Sequence, residues 1–470
     1  MKFIMRTIDE KRRVVPTWIG GFVLGFLLCV FACAAMFKLT SRANGLVVVT
    51  FAMNGILSGI MIVSSSRRRR YSLETIHWIF FFFFFFFAPI IQYSYGAFPW
   101  ELQATTDELF KANILLFAWG ILFFLGSKVR VKKDKAIADD SNEKALHINP
   151  SVLNLFIMIS ILIAIYYVIN VGFGNLLSHG TNSSFFIIEQ QSLSLLFLNA
   201  TRSFVLFTFV FCMLNKQRNF FQCCISLVCL LICIFPLGVA RNAMAIVYVG
   251  LFALLFEKFL TGRKFTYIFL LGLIIVFPLL NVFRHASLGE AQVGKALQKI
   301  LTDFLNEYTA GDYDAYSMFI QTIRYTARFG IEYGMQFVGA MLFFIPRTIW
   351  EGKPIGTGAT IFTKWGRDFT NVSCPLPSEF FINFGGVGLL VSAFAVGYLA
   401  RRLDNAYWKR QLLRKEKQFS YIDIIYPFLI PAFFFIMRGD LMSSFAYTSA
   451  YIVVAYFMYF IAIKKGKFGL

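Results

Sequence analysis

The run Pro346-Arg347-Thr348-Ile349-Trp350-Glu351-Gly352-Lys353-Pro354 places two cations and an indole in a stretch too polar to cross a bilayer, between long apolar segments. A loop of this kind is suited to holding an anion. Guanidinium stays charged and offers paired planar donors that match phosphate oxygens, while lysine adds a compact point charge. Three more arginines close apolar runs or sit in tight turns: Arg241 after Pro236-Leu237-Gly238-Val239-Ala240, Arg284 at the end of a run, and Arg438 in Met437-Arg438-Gly439-Asp440. Ionisable groups beside a membrane segment are costly to keep, which marks these positions for a role. For any one of them, snorkelling toward headgroups or pairing with a nearby acid is the simpler explanation. The acids in the same stretches are Asp312, Asp314, Glu379 and Asp440.

The elements that must position these residues are membrane helices. The chain is 58% hydrophobic and only 15% charged, with a mean hydropathy of +0.66, far from the composition of soluble domains. Apolar runs near 17–37, 44–63, 76–93, 109–126, 152–172, 193–214, 222–237, 241–256, 265–283, 380–400, 422–437 and 443–463 predict an all-α polytopic membrane protein of about 12 spans, one transmembrane domain over 1–470. Most of the 45 lysines and arginines fall on one side of this map, among them Arg67 to Arg70, the cluster from Lys128 to Lys135, the run from Arg401 to Lys417 and the tail at Lys464. The positive-inside rule makes that side, and both termini, cytoplasmic. The net charge of +20 is then mainly a topology signal and gives no support to nucleic-acid binding. Parity leaves 284–378 as one large outer-side region. Within it, Val338 to Ile345 is too short to cross and is expected to be re-entrant or interfacial, and Tyr313 to Phe329 is expected to be an amphipathic helix lying over a cavity.

Other features exclude more than they suggest. No nucleotide-phosphate loop, zincin helix or serine elbow is present, and His77, His147, His179 and His285 are scattered. No acidic cluster has the spacing of a calcium or magnesium loop, so the chemistry is expected to run without a metal or other cofactor. Phe80 to Phe87 is an unbroken run of phenylalanine, expected to face lipid and neighbouring helices.

Pro346-Arg347-x-x-Trp350-x-x-Lys353-Pro354 with Gly358, then Pro377-Ser378-Glu379-Phe380-x-x-Asn383-Phe384-Gly385-x-x-Gly388, then Arg438-Gly439-Asp440, together resemble the signature stretches of the O-antigen polymerase (Wzy-type) family. The hydropathy profile, the late outer loop and the Gly238-x-x-Arg241 turn resemble it too. Glu351-Gly352 departs from the acidic or proline pair frequent before the lysine. The resemblance implies a multi-span, GT-C-like glycosyltransferase of the bacterial inner membrane with a periplasmic active face. It would transfer a growing glycan from undecaprenyl diphosphate to a new lipid-linked repeat unit, with a chain-length regulator as a further partner. Arg241, Arg284, Arg347, Lys353 and Arg438 would bind and neutralise the diphosphate leaving group without metal. Glu379, or failing it Asp440, would take the proton of the acceptor hydroxyl; a plain helix-terminus acid is the alternative for Glu379. Trp350 would stack on a sugar or anchor the loop at the interface. An O-antigen ligase and a lipid-linked oligosaccharide flippase are the competing expectations.

Overall fold

The computed structural model describes residues 44–129, 148–172, 191–278, 304–413 and 419–464, except Lys216, Arg218, Leu237, Gly238 and Thr261. The expected span at 17–37, Arg284 and Gly238 of the Arg241 turn lie outside them.

Among the described residues the chain is helical, and helix starts coincide with residues that cap. α1 (Gly45–Arg68) begins after Asn44, whose side chain accepts from the Leu46 N–H. α2 (Leu73–Tyr95) begins after Ser72, which does the same for Thr75. α3 (Thr106–Lys128) opens with a reciprocal pair, the Glu108 N–H donating to Thr105 Oγ1 and the Thr105 N–H to the Glu108 carboxylate. Proline opens α4 (Pro150–Val171), where its missing N–H costs nothing. Then follow α5 (Gln191–Leu214), α6 (Phe220–Cys233), α7 (Arg241–Leu255) and α8 (Lys264–Val276). After α9 (Ala315–Phe329), α10 (Met335–Met341) and α11 (Thr357–Lys364) come the long α12 (Leu376–Leu413), α13 (Tyr421–Arg438) and α14 (Leu441–Lys464).

Eight of these helices, α1 to α5 and α12 to α14, are long and apolar enough to cross a membrane. The expected runs at 222–237 and 241–256 appear as α6 and α7, apolar but shorter than a straight crossing needs, and the run at 265–283 appears as α8, whose residues past 278 lie outside those described. The protein is thus an all-α, membrane-embedded helical bundle.

Two apolar cores share one wall. The first is built around α2 and takes residues from α1, α3, α8, α9, α12 and α13; the second joins α4, α5, α6, α7, α13 and α14. α13 serves both, with Tyr426, Ile430 and Met437 in the first and Ile424, Phe428 and Ala432 in the second. The phenylalanine run overturns the expectation of lipid contact: all of Phe80 to Phe87 are buried, and Phe83–Phe87 forms a π-helical turn inside α2. Lipid is as apolar as a phenyl ring, so hydropathy could not tell an outer helix from a central one.

α3 and α12 approach most closely. A Cβ on Gly126 would lie 2.1 Å from the Phe394 carbonyl oxygen, and one on Gly397 the same distance from that of Phe123. Backbones meet there only because neither residue carries a side chain. α12 is not one rod: Gly385 has φ 67 and ψ −161, so the helix breaks and its first turns, carrying Glu379 and Asn383, are set apart from the membrane-length remainder.

The stretch from 304 to 375 folds into the bundle. The helix expected over Tyr313 to Phe329 appears as α9: Ala315 to Ile323 and Tyr325 are all buried, and it packs on α3, α11 and α12. Val338 to Ile345 falls across the end of α10, a helix of 7 residues, and the turns that follow it.

Candidate functional site

Three segments remote in sequence, 347–358, 373–383 and 438–443, meet where α12 and α14 begin and α13 ends. At the centre are two carboxylates. Glu379 is 1% exposed; its Oε2 accepts from the Thr357 hydroxyl at 2.6 Å and its Oε1 from the Leu441 N–H at 2.8 Å. Asp440 caps α14, with Oδ1 accepting from the N–H groups of Met442 at 3.0 Å and Ser443 at 3.3 Å, and Oδ2 from that of Gly358 at 3.4 Å. Asp440 keeps some surface, yet its carboxylate is enclosed by protein, and that burial pushes its pKa above the ordinary aspartate value against the backbone N–H groups that favour the anion. The two carboxyls are near enough for the charge of one to act on the other. Among the described residues neither forms an ion pair with lysine or arginine.

The fit is tight around this pair. A Cβ on Gly356 would stand 2.5 Å from Asp440 Oδ2. Asn383 holds the detached first turns of α12 in place, its amide donating to the Glu379 carbonyl at 2.7 Å while its oxygen accepts from the Phe337 N–H at 3.2 Å. Cys374 is buried beside Glu379, and desolvation, reinforced by the charges of Glu379, Asp440 and Asp314, pushes its thiol well above the usual range. It is therefore held as a neutral thiol.

A second cluster adjoins Cys374 through its neighbour Ser373. Asp314, 1% exposed, accepts from the Ser373 N–H at 3.1 Å, the Ser373 hydroxyl at 2.6 Å, the Trp100 indole at 2.9 Å and Arg438 Nη2 at 3.4 Å. Arg438 Nη2 also donates to the Asp312 carbonyl at 3.0 Å, and Arg241 Nη2 meets the Asp312 carboxylate at 2.7 Å. Both arginines keep a buried donor with no acceptor, Nη1 in Arg241 and Nε in Arg438. Arg241 also lies over the Phe277 ring, 4.8 Å from its centroid.

The cationic loop is a third unit. Arg347 is exposed and donates to the carbonyls of Lys353 and Pro354. Lys353 turns inward, 5% exposed, and its ammonium donates to the carbonyls of Phe343 at 2.6 Å and Ile345 at 2.9 Å. Desolvation, then the charge of Arg347, lowers its pKa. Trp350 is half-buried, its carbonyl accepting from the Lys353 N–H. This loop runs directly into Thr357, which donates to Glu379, and Gly358, which donates to Asp440.

The structure therefore brings Glu379 together with Asp440, and Arg241 with Arg438 through Asp312. Arg347, Trp350 and Lys353 form the adjoining loop. It does not gather all the cations about one point: Arg241 and Arg438 are paired with acids, and Lys353 is largely committed to backbone carbonyls. Thr357, Ser373, Cys374 and Trp100 were not singled out from sequence. Thr357 lies between two glycines, a turn signal that could have flagged it; Trp100, 214 residues from Asp314, carries no such signal. Comparison with family models, curated proteins and solved structures returns no match to the chain.

Proposed function

We propose that this protein is a polymerase of lipid-linked oligosaccharide repeat units, an inner-membrane glycosyltransferase of the O-antigen polymerase type. The reading rests on one observation above the others. A desolvated carboxyl pair, Glu379 and Asp440, has an arginine pair with unspent buried donors on one side and a cationic loop on the other. Arg438 and Asp440, two residues apart, face opposite clusters, so acid–base and anion-binding groups adjoin across one glycine.

In this reading the acceptor hydroxyl of the incoming repeat unit gives its proton to Glu379, and its oxygen bonds to the anomeric carbon of the growing chain. The bond from that carbon to the lipid diphosphate breaks, and the diphosphate leaves. Arg241 Nη1 and Arg438 Nε would meet its oxygens, with exposed Arg347, and Arg284, adding charge. Trp350 offers an aromatic face for a sugar. The substrate would be an oligosaccharide on undecaprenyl diphosphate, in a twelve-span, GT-C-like architecture. α6, α7 and α8 would then cross obliquely or with their flanking residues, both termini would be cytoplasmic and the site would face the periplasm.

The test is genetic and chemical. Deleting the gene should leave the host's lipopolysaccharide capped with single repeat units, and the purified protein should lengthen lipid-linked repeat units in vitro. Loss of every glycan cap would indicate a ligase or flippase instead.

A further inference from the structure

Three of the helices of crossing length turn from uncharged to cationic at the same end of the bundle. α1 carries no charged side chain from Gly45 to Ser66 and closes on Arg67 and Arg68, α3 carries none from Ala112 to Ser127 and closes on Lys128, and α12 carries none from Phe380 to Ala400 and then presents Arg401. An uncharged run in a helix of crossing length fills the hydrocarbon layer, so the first cations after it stand at the edge of that layer, level with lipid phosphates. Packing gathers the three. α3 and α12 touch backbone to backbone at Gly126 and Gly397, just short of Lys128 and Arg401, and α1 packs on α3. Lys128 Nζ donates to Glu74 Oε1 at 3.2 Å, Arg401 Nη1 stands 3.9 Å from Glu74 Oε2, and the charge of Arg68 acts on both cations.

The acids at this end do not balance them. Asp404 is buried and saturated: Oδ1 accepts from the Leu73 N–H at 2.9 Å and from the Tyr426 hydroxyl, and Oδ2 from the Glu74 N–H at 3.3 Å, with Arg69 Nη1 at 3.0 Å. Glu74 is buried too and takes the Ser127 hydroxyl at 3.4 Å beside Lys128. Arg68, Arg69, Lys128 and Arg401 therefore set four positive charges against the two of Glu74 and Asp404. Arg68 is exposed and, among the described residues, forms no ion pair. Cations held this close repel one another unless an anion joins them. The helix faces that lead up to them are apolar and exposed. Leu125 lies three residues before Lys128, Phe394 seven before Arg401 and Ile60 seven before Arg67, spacings that keep each pair on one side of its helix. A cationic head above an apolar wall complements a phospholipid, whereas an acidic protein segment would cover the head and leave the wall bare.

We propose that Arg68, Lys128 and Arg401, at the junction of α1, α3 and α12, form a binding site for the phosphate of an anionic phospholipid. The two guanidinium groups and the ammonium donate to the phosphate oxygens, and the acyl chains lie along Leu125, Phe394 and Ile60. The site is at the far end of α12 from Glu379 and does not depend on the function proposed for that residue.

Thermal unfolding of the delipidated, detergent-solubilised full-length protein, titrated with lipid, tests this. Phosphatidylglycerol is the probe. Diacylglycerol, which has the chains without the phosphate, and inorganic phosphate, which has the anion without the chains, are the controls. Phosphatidylglycerol should raise the melting temperature, and neither control should match it. Arg68→Gln, Lys128→Gln and Arg401→Gln should each weaken the apparent affinity about fivefold, and all three together about a hundredfold. Lys409→Gln removes an exposed cation about 12 Å farther along α12 and should leave the affinity within about twofold. Equal stabilisation by diacylglycerol and phosphatidylglycerol in the wild type, a measurement that needs no variant to fold, would overturn the proposal, and so would equal stabilisation by inorganic phosphate. A loss from Lys409→Gln as large as that from Lys128→Gln would overturn it as well, because binding would then follow the net charge of this end rather than a site.

Discussion

Glu379→Gln separates a proton acceptor from a structural acid, because the hydrogen bonds around Glu379 dictate what glutamine can do there. Oε1 faces the Leu441 N–H, a backbone donor that cannot turn away, so the amide oxygen must take that place. The amide NH2 then faces Thr357, whose hydroxyl can rotate from donating to accepting. Both contacts survive, and the change in stability should stay within about 1 kcal/mol. Glu379→Ala, by contrast, strands the Leu441 N–H and the Thr357 hydroxyl at about 1–3 kcal/mol each, and should lower stability by about 2–6 kcal/mol. The catalytic effect runs the other way. Glutamine has no basicity, so elongation of lipid-linked repeat units should fall by about 10²–10⁴, the usual contribution of a general base. The assay is single-turnover elongation by purified protein, beside a melting curve for each variant. A Gln variant that melts like wild type and elongates at a comparable rate would refute the assignment. If instead its acid limb moves to lower pH with the rate preserved, Asp440 is the base, since losing a neighbouring negative charge lets Asp440 ionise more readily.

Burial raises the pKa of Asp440, and the consequences for stability and activity have opposite signs. A raised folded-state value stabilises the protonated fold, a contribution present below the ordinary aspartate value of 3.8 and lost as pH rises through the raised one, while a carboxylate that accepts protons gains function over that same rise. Melting curves across this window should fall with pH for wild type and less for Asp440→Asn. Gly356→Ala should push a methyl into the Asp440 carboxylate: bringing a 2.5 Å contact to about 3.4 Å moves the pair by nearly 1 Å, which should cut elongation about 10²-fold with little loss of protein; wild-type rates would mean that this contact is slack. Arg438→Lys keeps charge but loses the Nε donor left free beside the Nη2 that bridges the Asp312 carbonyl and Asp314, so elongation should drop about 10²-fold, and full polymer length at normal protein level would return Arg438 to a structural ion pair. Single cysteines near Lys295 and at Arg367 should both react with an impermeant thiol reagent from outside; labelling of only one would mean that the chain crosses between them.

Sequence carried the all-α membrane class and eight of the expected spans, because length and apolarity are set by the bilayer and can be counted residue by residue. It carried Glu379 and Asp440 as well, since acids flanking apolar runs have few roles. The partners of the arginines were less legible. Asp312 and Asp314, just ahead of α9, meet Arg241 at the start of α7 and Arg438 at the end of α13, a relation that no periodicity encodes. The same holds for Trp100, whose indole reaches Asp314 from a turn between α2 and α3. Lys353 looked like a ligand-facing cation because its neighbours are polar, but it turns inward and ties the carbonyls of its own loop.

The eight phenylalanines of α2 bear on how the protein is made. A segment of such hydrophobicity enters a bilayer readily, and its rings are as content among acyl chains as among each other. Insertion therefore gives no reason for α2 to become the innermost helix. That place must be won afterwards, when Phe80 stacks on Phe84, Phe83 on Phe87, and Phe434 closes on Phe80 and Phe84 from α13. Getting into the membrane and finding neighbours are separate events for this helix: the first reads only how greasy the side chains are, the second reads their shape. Leucine in place of these rings would satisfy the insertion machinery in full and leave the later assembly of the bundle without its template.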